Sequence, residues 1–317
     1  MIDGDRSRES LRDTLRHALR SIDYLALALL AVYTVLDIVF IRDVQSSFGV
    51  LQINILSMIG VIAFAMWYDQ SGSRLALIIR SFYVLPVGYM LYSQVHNYIP
   101  LVNPGNFDPT LAAWDRGIFG VNPTEWIYRF ANPILTEYLQ IWYNFFQLML
   151  VVPAVEFFRR HYEHFRIYSS ILLLGFSLSY LLYFIMPAIG PRFEIHDFHA
   201  IDRELPGLVL TEPFRDLIDA GNNIPPDEMA NPYDYVNRDC MPSGHTMISL
   251  LAILLVWSYR SRWRWLITVG GASIIVSTVY LRYHYVVDII AGALLAVILF
   301  LAHRSVLRLW RRWGIPV

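Results

Sequence analysis

Lysine is missing altogether from these 317 residues; all 25 basic side chains are arginine. Charge of either sign is sparse, at 16%, where soluble domains carry roughly a quarter. The formal net charge of −1 offers no basic excess to neutralise a phosphate backbone, which argues against a nucleic-acid binder. A single cysteine, Cys240, excludes an internal disulfide framework. Internal repeats and low-complexity tracts are absent, and the apolar runs are too continuous for an inverted-repeat transporter.

Hydrocarbon is what the chain has in plenty. Hydrophobic residues make up 56% of it and the mean hydropathy is +0.43. Apolar runs long enough to cross about 30 Å of hydrocarbon recur near 22–41, 50–68, 76–98, 134–157, 167–187, 244–259, 264–281 and 284–302. They predict an all-α, polytopic membrane bundle of about eight transmembrane helices. The first run is not a cleaved signal peptide, because it lacks a small-residue cleavage site and follows a long arginine-rich stretch. That stretch, "RSRESLRDTLRHALR" at 6–20, predicts a short basic amphipathic helix on the membrane surface.

Eight spans put both termini on one side, and arginine identifies the side. The N-terminal stretch, the loops near 69–80, 158–166 and 259–264, and the C-terminal tail hold 17 arginines in roughly 60 residues. The other loops hold the remaining 8 in roughly 100. The first set is therefore expected in the cytoplasm of a multi-pass plasma or inner membrane protein. The organisation that follows is a cytoplasmic basic segment at 1–21, three transmembrane helices over 22–98, an extracytoplasmic amphipathic loop at 99–133, a region of five spans over 134–302 with an outer loop at 188–243, and a basic cytoplasmic tail at 303–317. Pieces such as "DPTLAAWDRGIFG" and "TEPFRDLIDA" in the outer loops read as interfacial helices capping the bundle.

The stretch "DCMPSGHTMIS" delivers His245 to the mouth of an apolar run. Its partners lie in "LRYHYVVDIIAGALL", where His284 and Asp288 are four apart and would share one helical face. A carboxylate one turn from an imidazole holds the proton on one ring nitrogen and aims the other outward, which suits a nucleophilic site. Arg282, and Arg192 in "MPAIGPRFEI", end spans on the same side. Guanidinium forks suit phosphate oxygens, and Ser243 and Gly244 would present a hydroxyl and backbone N–H groups at a helix N-terminus. One histidine can attack phosphorus while the other moves the proton of the leaving oxygen. With arginines and a helix end to neutralise charge, no metal or other cofactor is required.

"PSGHT", followed about forty residues later by "RYHYVVDIIAG", resembles the type 2 phosphatidic acid phosphatase (PAP2) superfamily. The resemblance covers roughly 130–302. It implies a six-helix catalytic core, extracytoplasmic chemistry and a phosphohistidine intermediate. By motif position it implies His284 as nucleophile, Asp288 as its orienting acid, His245 as general acid and base, and Ser243 and Gly244 in the phosphate site. Two departures stand out. The phosphatase branch opens its signature with a lysine, which this chain lacks, so "GPR" supplies only Arg192. That branch also sets an arginine six residues before the nucleophile, where Thr278 stands here; the nearest is Arg282. "HYVVDIIAG" and "WDRGIFGVNPTEW" are similar instead to the Aur1-type inositolphosphotransferases, which move a phospho-headgroup from a phospholipid to a lipid alcohol.

The resulting expectation is a phosphotransferase with a phospholipid donor and a lipid alcohol, or water, as acceptor. Lipid phosphate phosphatase is the alternative enzyme, acting on phosphatidic acid or a polyprenyl diphosphate; a non-catalytic lipid transporter or binding protein is the alternative of another class. Other polar residues carry blander expectations. His96 reads as an interface residue, and Asn144 and Gln147 as a helix–helix hydrogen-bonding face. Arg238 and Asp239 read as loop structure, the acids between Glu194 and Asp239 as a solvated face, and Cys240 as an inert small residue. Asp37, late in the first span, is expensive there and has no assigned role.

Overall fold

The computed structural model describes residues 11–44, 47–222, 224 and 231–316. Among them the regular structure is helical, with no strand; one isolated parallel bridge joins Ala188 and Asp239. Residues 6–10 of the expected surface helix lie outside the described residues, and the rest begins as α1, Leu11–Ala18. The chain divides into two compact units, Met1–Tyr98 with Ser169–Leu174 and Ala302–Val317, and Ile99–Tyr168 with Gly175–Leu301.

The first unit is built on α1, α2 (Ser21–Val39), α3 (Ser47–Ser71), α4 (Arg74–Phe82) and most of α5 (Val84–Val102). Two buried polar clusters hold it together. Asp23 accepts from Arg80 at 2.7 Å and from the Tyr83 hydroxyl at 2.8 Å. Asp37 accepts from Asn54 Nδ2 at 2.7 Å and from the Tyr98 hydroxyl, and Asn54 exchanges amide hydrogen bonds with Gln94 at 2.9 and 3.1 Å. This accounts for Asp37: in a medium without water, a carboxylate needs donors from neighbouring helices, and α3 and α5 supply them.

The second unit contains α6 (Asp108–Phe119), α7 (Pro123–Ile127), α8 (Pro133–Asn144), α9 (Phe146–Arg160), α10 (Tyr162–Leu182), α11 (Pro191–Glu194), α12 (Ile201–Glu204), α13 (Thr211–Gly221), α14 (Gly244–Ser258), α15 (Arg264–Tyr280) and α16 (Val286–Arg312); the last runs on into the first unit, as does part of α10. Proline opens α7, α8 and α11, where its missing N–H costs nothing, and Asn132 caps α8 by accepting from Leu135 N at 2.9 Å. The segment before α13 is pinned by Glu137 of α8, whose carboxylate accepts from the backbone of Leu208, Val209, Leu210 and Thr211 and from the Thr211 hydroxyl.

Among the described residues five helices are long and apolar enough to cross a membrane, or six if α8 and α9 form one bent span. The difference from eight lies in three places. The run expected over 134–157 is bent by 53° between α8 and α9. The runs near 244–259 and 264–281 are helices of 15 and 17 residues, shortened by polar turns: Ser243 caps the start of α14, and Arg282, at φ +67°, ends the α15 segment in a left-handed turn. The bend also separates Asn144 from Gln147, so they do not share a continuous helical face. Asn144 donates instead to the Gln140 carbonyl of its own helix at 2.9 Å, and Gln147 is exposed.

Candidate active site

His245 stands in the first turn of α14. Ser243 Oγ accepts from Thr246 N at 3.3 Å, a side-chain N-cap, and Ser243 N donates to the Asp288 carbonyl at 3.2 Å. Gly244 begins the helix where a Cβ would come within 2.5 Å of the Tyr183 hydroxyl. The imidazole of His245 is packed by Tyr143, ring centroids 4.5 Å apart and planes at 26°, and by Phe146 at 4.7 Å.

His284 arrives from the end of α15. The N–H groups of Tyr283 and His284 both donate to the Thr278 carbonyl, at 2.9 and 3.0 Å, so the chain reverses around Arg282, a position usually given to glycine. The shared helical face expected for His284 and Asp288 is not what joins them, because α16 starts two residues after His284, at Val286. Asp115 of α6 sets that start: its two carboxylate oxygens accept from Val286 N and Val287 N, both at 2.9 Å. Asp288 then reaches back to Tyr285 N at 2.9 Å, as the third residue of a capping box does.

These caps bring His284 to His245, ring centroids 5.9 Å apart. His284 Nδ1 lies 2.9 Å from the Cys240 carbonyl. A carbonyl only accepts, so Nδ1 carries the hydrogen and Nε2 keeps its lone pair. Asp288 Oδ2 is 3.6 Å from Nδ1, beyond hydrogen-bond reach, and acts on the ring through space and through Cys240. The Cys240 thiol donates to Asp288 Oδ2 at 2.8 Å, which corrects the reading of this cysteine as inert. Burial, and next the charge of Asp288, push the thiol's pKa well up, so it stays a protonated donor. Cys240, His284 and Asp288 are buried with ligand atoms within 4.8 Å of one another, close enough for a metal; the contacts described here are hydrogen bonds among themselves and to the backbone.

Arg192 lies buried on α11. Gly190, at φ +99°, precedes it where a Cβ would sit 2.5 Å from the Tyr283 carbonyl. The guanidinium forms a fork with Asp219 at 2.6 and 3.0 Å and lies 5.3 Å from the Tyr283 ring. Tyr283 stacks on Tyr143 at 4.5 Å, so Arg192, Tyr283, Tyr143 and His245 form one continuous column. Arg282 turns elsewhere: its guanidinium pairs with Glu204 at 2.5 Å and covers the Tyr128 ring at 5.4 Å. Asp202 pairs with Arg215 at 2.5 Å. Three acids expected on a solvated face are therefore held in ion pairs, two of them on the arginines nominated for phosphate.

Tyr143, Tyr283, Asp108 and Asp115 escaped the reading of motifs. Asp108 accepts from Ile189 N and Gly190 N at 2.8 Å each, from the Tyr285 hydroxyl at 2.9 Å and from the Tyr233 hydroxyl at 2.5 Å. It ties the turn before Arg192 to the start of α16. Asp115 follows Asp108 by seven positions, a spacing that puts both on one helical face; that spacing was the available signal. Arg238 and Asp239 are loop structure: Arg238 donates to the Tyr233 carbonyl at 2.8 Å, and Asp239 sits in the bridge to Ala188. His96 packs its ring edge-on to Tyr92 at 4.8 Å.

A family model described as the PAP2 superfamily matches residues 109–302, from α6 into α16. No curated protein and no solved structure gave a match.

Proposed function

The chain belongs to the PAP2 superfamily, and from that premise we propose that it is a membrane phosphotransferase that moves a phospho-headgroup from a phospholipid to a lipid alcohol through a phosphohistidine on His284. Membership supports a phosphatase or phosphotransferase acting on lipids. The observation that carries the reading is the facing of His245 and His284 at 5.9 Å, with His284 Nδ1 occupied at 2.9 Å by a carbonyl and Nε2 left to react.

In the first step the Nε2 lone pair forms the P–N bond as the P–O bond to the leaving alcohol breaks, and His245 gives that oxygen its proton. In the second step neutral His245 takes the proton of the acceptor hydroxyl, whose oxygen attacks phosphorus and releases His284. Arg192 leads the phosphate contacts, with Ser243, Gly244 and the start of α14 beside it. Arg282 contributes from further out.

Charge balance supports a phosphodiester donor over a phosphomonoester. Arg192 and Arg282 each face a carboxylate already, and the chain has no lysine to add a cation. A dianionic phosphomonoester would meet little net positive charge, whereas a monoanionic diester asks for less. The reaction side is extracytoplasmic in this reading, because α14 carries His245 in its first turn and leads at its other end to Arg260 and Arg262, which the positive-inside rule assigns to the cytoplasm.

The test uses the full chain in liposomes, a phospholipid labelled at phosphorus and an unlabelled lipid alcohol. Label in a new lipid, together with an acid-labile phosphoprotein that His284→Ala abolishes, supports the transferase. Release of inorganic phosphate from phosphatidic acid, with no label in a new lipid, overturns it in favour of a phosphatase. Undiminished transfer in the His284→Ala variant removes His284 as the nucleophile, and a wild type that turns over neither lipid removes the enzyme reading altogether.

A further inference from the structure

At the end of the second unit remote from the histidines, α9 and the turn between α14 and α15 line a groove of about 730 Å³. Both helices lead there from the active site. Phe146 begins α9 against His245, and Glu156, ten residues on, meets Ser261 beyond the end of α14. At 1.5 Å per residue the arginine end of the groove lies roughly 15–20 Å along α9 from the residue that touches His245.

The groove has two chemistries in sequence along one helix. Leu148, Val152 and Val155 form an apolar wall, and Arg159 and Arg160 follow at its end, with Arg262 across from them. Its carboxylate, Glu156, is engaged: the Ser261 hydroxyl donates to it at 2.5 Å and Arg262 N at 3.1 Å, with Arg262 Nε at 3.6 Å. Arg159 and Arg160 are exposed and form no ion pair among the described residues. Trp263 completes the rim, the position where indole rings settle at a membrane interface.

We infer that this groove binds an anionic phospholipid, one acyl chain lying along Leu148, Val152 and Val155 and the headgroup phosphate held by Arg159, Arg160 and Arg262. Charge complementarity selects this occupant. A soluble anion satisfies the arginines but leaves the wall bare, and a zwitterionic lipid brings an ammonium group toward three guanidiniums. An anionic lipid fits wall and rim together, as basic pockets between membrane helices do. The inference stands apart from the reaction at His284.

The test is thermal unfolding and native mass spectrometry of the full chain in neutral detergent, titrated with phosphatidylglycerol, phosphatidylcholine or soluble glycerol phosphate. Phosphatidylglycerol raises Tm and stays bound, while the other two do neither. The combined variant Arg159→Gln, Arg160→Gln, Arg262→Gln lowers the apparent affinity on the order of 100-fold, and His284→Ala leaves the response intact. The single variant Arg160→Gln gives an intermediate loss and covers the case in which the combined variant fails to fold. An undiminished phosphatidylglycerol response in the arginine variants overturns the site, as does an equal response to phosphatidylcholine. A response to glycerol phosphate alone reduces the groove to an anion site without a lipid.

Discussion

The phenol ring of Tyr143 lies on the imidazole of His245, 4.5 Å between centroids and 26° from parallel. Its other neighbour is Tyr283, also at 4.5 Å, and beyond Tyr283 lies the Arg192 guanidinium at 5.3 Å. The proposed general acid and the proposed phosphate ligand are thus spaced by two aromatic rings, which have few rotamers to lose.

Shortening this column should cost rate more than stability. Tyr143→Ala removes the ring that fixes the plane of His245, and a general acid displaced by about 1 Å loses up to ~100-fold in rate. Tyr143→Phe keeps the stack and should keep most of the activity. Initial rates in liposomes, alongside Tm, check this; equal loss in Phe and Ala variants would mean that the hydroxyl, not the stack, matters.

The Cys240–Asp288 bond makes a second expectation. Cys240→Ser retains a donor to Asp288 Oδ2 and should work nearly normally. Cys240→Ala leaves that oxygen with Tyr285 N as its remaining described donor and should slow transfer about tenfold. Asp288→Asn should cripple the rate while the helix stays intact. In the wild type, the first step needs His284 neutral and His245 protonated, so rate against pH is expected to be bell-shaped across the imidazole range. A flat profile there would dismiss the two-histidine scheme.

Asp115 is predicted to matter for the shape of the site. Asp115→Ala strips one buried and one half-buried N–H group of their acceptor at the start of α16 and should destabilise by about 2 kcal/mol, seen as a lower Tm with reduced activity. Asp115→Asn keeps one acceptor oxygen and should recover part of both. A Tm unchanged in the Ala variant would show that water replaces the carboxylate freely.

The apolar runs and the two histidine motifs were legible because each is local: twenty hydrophobic residues, or five residues in a row, suffice to read them. Asp108 and Asp115 were not, because their partners lie at 189–190 and 285–287, far along the chain. Tyr143 looks like any aromatic residue of a membrane span until the bend at Phe145 turns it toward His245. The acids between Glu194 and Asp239 are the third case. Read along the chain, Glu204 and Asp219 suggest a wet surface; folded, α12 and α13 carry them onto Arg282 and Arg192. His284 and Asp288 illustrate the converse: their spacing of four suggested a shared helical turn, whereas it is the cap of Asp288 on Tyr285 N that leaves the two side chains 3.6 Å apart.

His196 carries a pH prediction for the segment between α11 and α12. Its Nε2 lies 2.8 Å from the Thr124 hydroxyl. Burial, and after it the nearby Arg282, push its pKa down to about 4, against roughly 6.5 for a free imidazole. The folded chain therefore holds this proton less readily than the unfolded chain. The stability linked to His196 is complete above about pH 6.5, declines as pH falls, and is gone below about 4. Tm measured across that window should fall more steeply in the wild type than in His196→Gln. Parallel curves would remove His196 as a source of the slope.

The fork between Arg192 and Asp219 leads to the expectation most specific to the proposed chemistry. Asp219→Asn keeps an acceptor on the guanidinium and removes one negative charge beside the phosphate. A dianionic phosphomonoester gains more from that change than a monoanionic diester, because the removed repulsion scales with the substrate's charge. The ratio of kcat/KM for a lipid phosphate over a phosphodiester lipid should therefore rise about tenfold, allowing for screening near the surface. Most of the rise should come through KM, since the carboxylate faces the ligand before and after bond breaking alike. A purely structural role for Asp219 would depress kcat for both substrates together and leave their ratio where it was, and that outcome would detach substrate choice from the charge balance at Arg192.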